Sequence, residues 1–367
     1  MKRFLTGLLC LFTVSYGDQL PEILVIPDFS YVYRDISDDR YSSLSVPNFV
    51  EHVRHQEHGF NQENGFNLNY AEFKIDYHME NIFFRSVLHF TENKVDIDEA
   101  YISLPQLPYD ITAKVGKFRS EIGIINSRHQ HRWFFTDIPL IYQLIFGCHG
   151  LSEKGAQIEI KKSHGKTGIE VLQGENENSF GYQAIPEYSI KESKAPNLFV
   201  FYLKLLDTES SFKPSAGFSF LKGTYRNVEE PSHGDTQIYG WDFSFLVKGL
   251  KFQGELFYRN ISGETYNPVK TPFTKKQAGY YLQTVYPINR NVSAGVRYEN
   301  IFKNQLDGSD ITKNLEKFSL SVNLLPVENI KIRLQYSYDR SKFFEGRRKG
   351  INQITVEITA FAGKHHH

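Results

Sequence analysis

Apolar and polar residues alternate with a period of two through most of the chain, in segments of about ten residues, as in strands with one apolar and one polar face. Ile330, Ile332, Leu334, Tyr336 and Tyr338 alternate with Lys331, Arg333, Gln335, Ser337 and Asp339. Just upstream, Phe318, Leu320, Val322 and Leu324 alternate with Lys317, Ser319, Ser321 and Asn323. Tyr239, Trp241, Phe243, Phe245 and Val247 repeat the pattern, and beyond Lys248-Gly249 the residues Leu250, Phe252, Leu256 and Tyr258 face one way while Lys251, Glu255 and Arg259 face the other. Extended over the chain, the pattern predicts strands near 24–34, 65–77, 82–90, 95–104, 111–118, 155–162, 167–174, 198–206, 214–225, 238–247, 250–260, 277–286, 292–302, 314–324, 329–339 and 351–361. That is about 16 strands, with 14 to 18 compatible with the boundaries.

The connections sort by parity. The odd-numbered ones, 35–64, 91–94, 119–154, 175–197, 226–237, 261–276, 303–313 and 340–350, are long in every case but one. The even-numbered ones, such as His78 to Asn81 and Lys248-Gly249, are short. Short turns on one side and longer loops on the other are the mark of an antiparallel barrel crossing an outer membrane. The expected fold is all-β: a transmembrane antiparallel β-barrel forming a single domain over residues 18–361, preceded by a signal peptide at 1–17 and followed by a tail at 362–367. Lys2 and Arg3 ahead of the apolar stretch Phe4 to Val14, with Ser15 and Gly17 at the cleavage positions, carry the signal-peptide reading.

Composition agrees with this class. Phe and Tyr total 52 residues against two Trp and two Met, and beyond the signal no apolar run is long enough for a membrane-spanning helix. Without Lys2 and Arg3 the balance is 40 basic to 42 acidic residues, so nucleic acid is not an indicated partner. Sixteen tilted strands enclose a lumen, and the charged residues of the polar face, among them Arg85, Lys251, Glu255, Arg259, Arg297, Lys331 and Arg333, are expected to line it.

The segment between Lys117 and Gly155 is not composed like a floppy loop. It runs through Trp133-Phe134-Phe135 and an apolar stretch from Ile138 to Phe146, which must pack on something. The inner wall is the expected surface, and the third external loop is then folded inward. Lys117, Arg119, Arg128, His129, His131 and Arg132 are expected at the resulting constriction, where clustered basic side chains bias a pore towards anions. The bland alternative is that these residues tie the loop to acidic wall residues.

The string Gly116-Lys117-Phe118, Glu121, Gly123, Asn126, His129, His131, Phe135, Asp137, Pro139-Leu140, Phe146-Gly147, Gly150-Leu151, Gly155 and Gln157 resembles the corresponding stretch of porin-like outer-membrane proteins related to the phosphate-selective porins. The resemblance covers about 40 residues. It implies a 16-stranded barrel, often trimeric, with its third external loop inside the channel. A dense arginine or lysine ladder along the inner strands is missing here, which sets phosphate selectivity apart from what the resemblance implies.

The functional expectation is a passive outer-membrane pore of a Gram-negative-type bacterium for small hydrophilic solutes or ions, with outer-membrane lipid around it and no cofactor. A non-conducting structural or adhesive barrel is the rival, and a metal-uptake pore is another, since imidazoles that converge bind zinc, copper or nickel. His129 and His131 are two apart, and His52, His55 and His58 recur every three residues; these are the candidate metal ligands. His365 to His367 stand outside the fold argument. No Gly-x-Ser-x-Gly, His-Glu-x-x-His or phosphate-cradling glycine loop points to an enzyme.

Overall fold

The computed structural model describes residues 20–47, 60–61, 63–207, 210, 212–228, 230–266 and 269–363. The expected signal peptide, His52, His55, His58 and His365 to His367 lie outside them. Sixteen long strands follow in order: β1 Glu22–Arg34, β2 Gly65–Met79, β3 Ile82–Phe90, β4 Val95–Leu107, β5 Ile111–Arg119, β6 Ser152–Lys162, β7 Gly165–Leu172, β8 Leu198–Leu206, β9 Ser215–Asn227, β10 Ser232–Val247, β11 Leu250–Thr265, β12 Thr271–Pro287, β13 Val292–Leu306, β14 Leu315–Val327, β15 Ile330–Phe344 and β16 Arg347–Ala360. Each pairs antiparallel with its sequence neighbours, and β1 pairs with both β2 and β16, so the sheet closes into a barrel with no free edge. Two-residue pieces at Ser309–Asp310 and Ala362–Gly363 extend the ladder.

Alternation along each strand separates two environments. On β16, Ile354 and Ile358 are exposed on the outside, while Thr355, Glu357 and Thr359 are buried inside. Aromatic side chains pair across strands on the outer face, as in Phe218 with Trp241 and Phe245 with Phe252. No described helix is long and apolar enough to cross a membrane, which leaves the strands as the crossing elements.

Every expected strand is present, but those from β9 onward, β14 excepted, run further at the loop end. The expected loop at 340–350 shrinks to the two residues between Phe344 and Arg347, and Ser232 to Gln237 belongs to β10. Hydrophobic alternation needs lipid on one face. Beyond the membrane both faces meet water, so polar stretches such as Ser232-His233-Gly234-Asp235 continue the ladder without the pattern.

The final aromatic, Phe361, is out of phase with the outward-facing Ile354, Val356, Ile358 and Ala360, and the closed barrel supplies the reason. Phe361 points inward, packing with Leu24 and Ile26 and meeting the His131 ring edge-on at 5.9 Å. It fastens the end of the barrel to the inward loop and does not face lipid.

A candidate pore constriction

The segment from Ser120 to Leu151 lies inside the barrel. Ile122, Ile125, Trp133, Ile138, Leu140, Ile141, Tyr142, Leu144, Ile145, Phe146 and Leu151 are buried in one cluster with wall residues such as Leu172, Val200, Ile238, Phe257, Tyr281, Ile301 and Leu315. Burying one large aliphatic or aromatic side chain stabilises by about 1.5–3 kcal/mol, so this row holds the loop firmly against the wall. The loop helix Leu140–Phe146 begins after Pro139, and Tyr142 and Gln143 donate to the Pro139 carbonyl. The Leu140 N–H has no helical acceptor and donates to Glu299 Oε2 at 2.6 Å, so a wall carboxylate satisfies the helix start. The helix ends at Gly147 in the left-handed region, φ 81°, where a side chain would run into Asn178.

Polar anchors reach the loop from all round the barrel. Lys204 on β8 donates to the Gly123 carbonyl at 2.6 Å, and Glu170 on β7 accepts from the Glu121 N–H at 3.0 Å. Glu255 on β11 accepts from the Ile125 N–H at 2.9 Å and from the Tyr142 and Tyr281 hydroxyls at 2.6 Å each. Arg297 on β13 donates to the Asp137 carbonyl and carboxylate at 2.9 and 2.6 Å, Lys317 on β14 pairs with the same carboxylate, and Gln335 on β15 donates to it at 2.9 Å. Burial alone would raise the Asp137 carboxyl, but Lys317 and then Arg297 hold it well below the usual carboxylate range. Arg333 donates to the carbonyls of Gln130, Trp133 and Phe135, and Lys331 to those of His131 and Trp133.

Gly123 shows how closely the loop fits. Its φ is +57°, and a Cβ there would collide with the Glu255 carboxylate and the Tyr142 hydroxyl. Gly123→Ala is expected to destabilise loop docking by about 1–3 kcal/mol through overpacking, read as a lower unfolding temperature with an unchanged β-sheet circular dichroism spectrum.

The wall at β2 and β4 is acidic. Glu72 on β2 and Asp98 and Glu99 on β4 are buried around His129. His129 Nε2 lies 3.0 Å from Glu99 Oε2, and its Nδ1 lies 3.3 Å from Asp98 and 3.5 Å from Glu72. Burial opposes a charge on this ring, yet Glu72, Asp98 and Glu99 together raise it to about 10. The His131 ring stacks on it at 5.6 Å and is pushed down to about 4, first by its burial.

A protein of Aquifex aeolicus (strain VF5), described as an uncharacterized protein, is 36% identical over 371 residues, spanning 94% of this chain and 79% of the relative. The chain belongs to that protein's family. No family model matches the chain. Among solved structures, the anion-selective porin from Comamonas acidovorans aligns with TM-score 0.62 at 9% identity, over 94% of this chain and 99% of the porin. The outer membrane channel DcaP of Acinetobacter baumannii aligns with TM-score 0.58 at 10% identity, over 94% and 96% of the two chains. OmpT of Vibrio cholerae gives 0.58 at 8%, over 95% and 100%. At these identities the likeness is one of fold, and the family member described here has a porin-type barrel.

Within that barrel the residues expected from sequence fall into three groups. Lys117 is placed on the outer face: Phe118 takes the inward position, so Lys117 shares the outer face with Val115 and donates to the Ile97 carbonyl at 2.5 Å. Arg85, Arg119, Arg259, Arg297, Lys331, Arg333 and Glu255 point inward but are committed. Arg85 binds Asp76 at 2.7 and 2.8 Å, Arg119 binds Asp98 and the His149 carbonyl, and Arg259 binds Ser179 and the Asn178 carbonyl. Arg128, Arg132 and Lys251 remain. Arg132 is exposed inside the barrel, Arg128 and Lys251 are half-buried, and none of the three makes an ion pair among the described residues.

Two parts of the site were not read from the sequence. Glu72, Asp98 and Glu99 carry the acidic side; Asp98 is the extra residue of a bulge on β4, with Val87 opposite Glu99 and Leu88 opposite Ile97, so that two consecutive carboxylates are both buried and the period of two is broken there. A second segment also turns inward: the Glu153 carboxylate accepts the N–H groups of Gly174, Glu175 and Asn176, Ser179 donates to the Ile145 carbonyl at 2.6 Å, and Phe180 is fully buried. Phe180-Gly181 within an otherwise polar stretch was the available signal.

Proposed function

We propose that the chain is a passive pore of the outer membrane of a Gram-negative-type bacterium, admitting small polar or ionic solutes with a preference for anions. The carrying observation is the division of labour among its inward cations. Arg259, Arg297, Arg333 and Lys331 are occupied by loop carbonyls and acidic partners, whereas Arg128, Arg132 and Lys251 make no ion pair among the described residues and are left to meet a solute. The wall arginines expected to line the path act as fasteners in this reading, and selectivity moves to the loop. Assembly as a homotrimer, implied by the sequence resemblance, belongs to the same proposal and is tested by native mass spectrometry of the detergent-extracted protein.

A second reading also has an observation behind it. The loop is anchored on β2, β4, β7, β8, β11, β13, β14 and β15, and a loop held on every side suits a barrel that conducts nothing. Swelling of liposomes containing the refolded chain separates the two. Small sugars and small organic anions are expected to enter, anions faster, with uptake falling steeply as solute size rises; liposomes that stay osmotically inert contradict the pore.

A further inference from the structure

We propose that Glu72, His89, His129 and His131 form a binding site for a divalent transition-metal ion of the zinc class, which clamps the inward loop to the barrel wall. The site does not depend on whether the lumen conducts.

Glu72 and His89 come from adjacent wall strands, β2 and β3, and His129 and His131 from the loop. The ligand atoms of Glu72, His89 and His129 all lie within 4.8 Å of one another. Around Glu72 Oε2, His89 Nε2 lies at 3.2 Å and the Nδ1 atoms of His129 and His131 at 3.5 Å each. Four donors at zinc bond lengths of about 2.0–2.2 Å stand about 3.3–3.6 Å apart along the edges of a tetrahedron. The imidazoles therefore already sit at coordination spacing from the carboxylate.

Two of these groups also have buried polar atoms that nothing outside the cluster satisfies. Glu72 Oε1 and His131 Nδ1 have no hydrogen-bond partner, although Glu72 is fully buried and His131 is 5% exposed, and His129 Nδ1 has only its 3.3 Å contact with Asp98 beyond the cluster. Leaving such atoms unpaired is destabilising, and a cation bound between them supplies the missing partner. The outer contacts match as well. His129 turns its other nitrogen, Nε2, to Glu99 Oε2 at 3.0 Å, the carboxylate–imidazole contact that orients a metal-bound histidine. Charge points the same way: Glu72, Asp98 and Glu99 are three buried carboxylates, and the arginine in contact with them, Arg119, is committed to Asp98. A divalent ion neutralises the remaining pair. Three imidazoles and one carboxylate suit zinc, copper or nickel and not calcium or magnesium, which take all-oxygen sets.

The test is calorimetric titration of Zn²⁺ into the full chain refolded in detergent, carrying His365→Ser, His366→Ser and His367→Ser so that the terminal histidines do not contribute. One zinc equivalent is expected to disappear in His89→Ala and in His129→Ala. Glu99→Gln, which keeps all four donors, is expected to retain that equivalent with affinity lowered about 10–100-fold. Circular dichroism and heat-dependent gel migration establish that each variant is a folded barrel. Equal zinc binding by the parent and a folded His89→Ala barrel would overturn the proposal, as would unchanged affinity in folded Glu99→Gln; the cluster would then be an imidazolium–carboxylate lock and nothing more.

Discussion

Asp137→Ala is expected to release the middle of the inward loop while leaving the barrel closed. The Asp137 side chain is the point where β13, β14 and β15 grip the loop, through Arg297, Lys317 and Gln335. Removing it leaves two buried cations facing each other without their shared partner, and breaking a buried pair from one side costs about 3–5 kcal/mol. Arg297 keeps Glu299 at 2.8 Å, which places the loss towards the lower end of that range. No strand pairing depends on Asp137, so circular dichroism should keep its β-sheet signal. Trp133, buried in the loop, reports the release; the other tryptophan, Trp241, lies on the outer face and is silenced by Trp241→Phe. A red shift of Trp133 emission and a larger single-channel conductance are expected together. Acid should act on the same contact. With the carboxyl of Asp137 held below its ordinary value, its contribution to docking is complete above about pH 4 and is lost as the pH falls from there through the docked value. Trp133 emission should thus stay constant from neutrality to pH 5 and shift only in stronger acid.

Arg128→Glu combined with Arg132→Glu is expected to turn the ion preference from anions to cations. Neither guanidinium holds the loop in place: the loop uses the Arg128 carbonyl, which accepts from Trp133 Nε1 at 3.0 Å, and no Arg132 side-chain bond is among those that anchor it. Reversal should therefore change four units of charge at the constriction with little effect on stability. The reversal potential in a salt gradient should change sign. A similar double change at Arg297 and Arg333 should instead prevent the loop from docking, because those side chains bind its carbonyls. Unchanged selectivity in Arg128→Glu/Arg132→Glu would return these residues to a purely structural role.

The strand count was legible because each membrane crossing contrasts lipid with a polar interior, as Ile330 to Asp339 shows residue by residue. The inward loop was legible because Ile138 to Phe146 is too apolar for water. The bonds made by the wall arginines were not. Sequence alternation states that Arg333 points inward, but besides Glu357 its partners are backbone carbonyls some 200 residues away, and a carbonyl leaves no mark in composition. Phe361 illustrates the converse: its wrong phase was visible, while the cause, a pocket shared with Leu24, Ile26 and His131, needed the closed barrel. His129 and His131 were noticed as a pair, yet Glu72 and His89 join them only because β2 and β3 form the wall beneath the loop.

The central claim is that a loop-constricted barrel of this family conducts. Single-channel recording of the refolded full chain in a planar lipid bilayer tests it most directly. Uniform stepwise openings are expected, with a reversal potential in a KCl gradient on the chloride side of zero. Insertion of folded barrel without any conductance step, or steps with cation preference in the unaltered chain, would contradict the account.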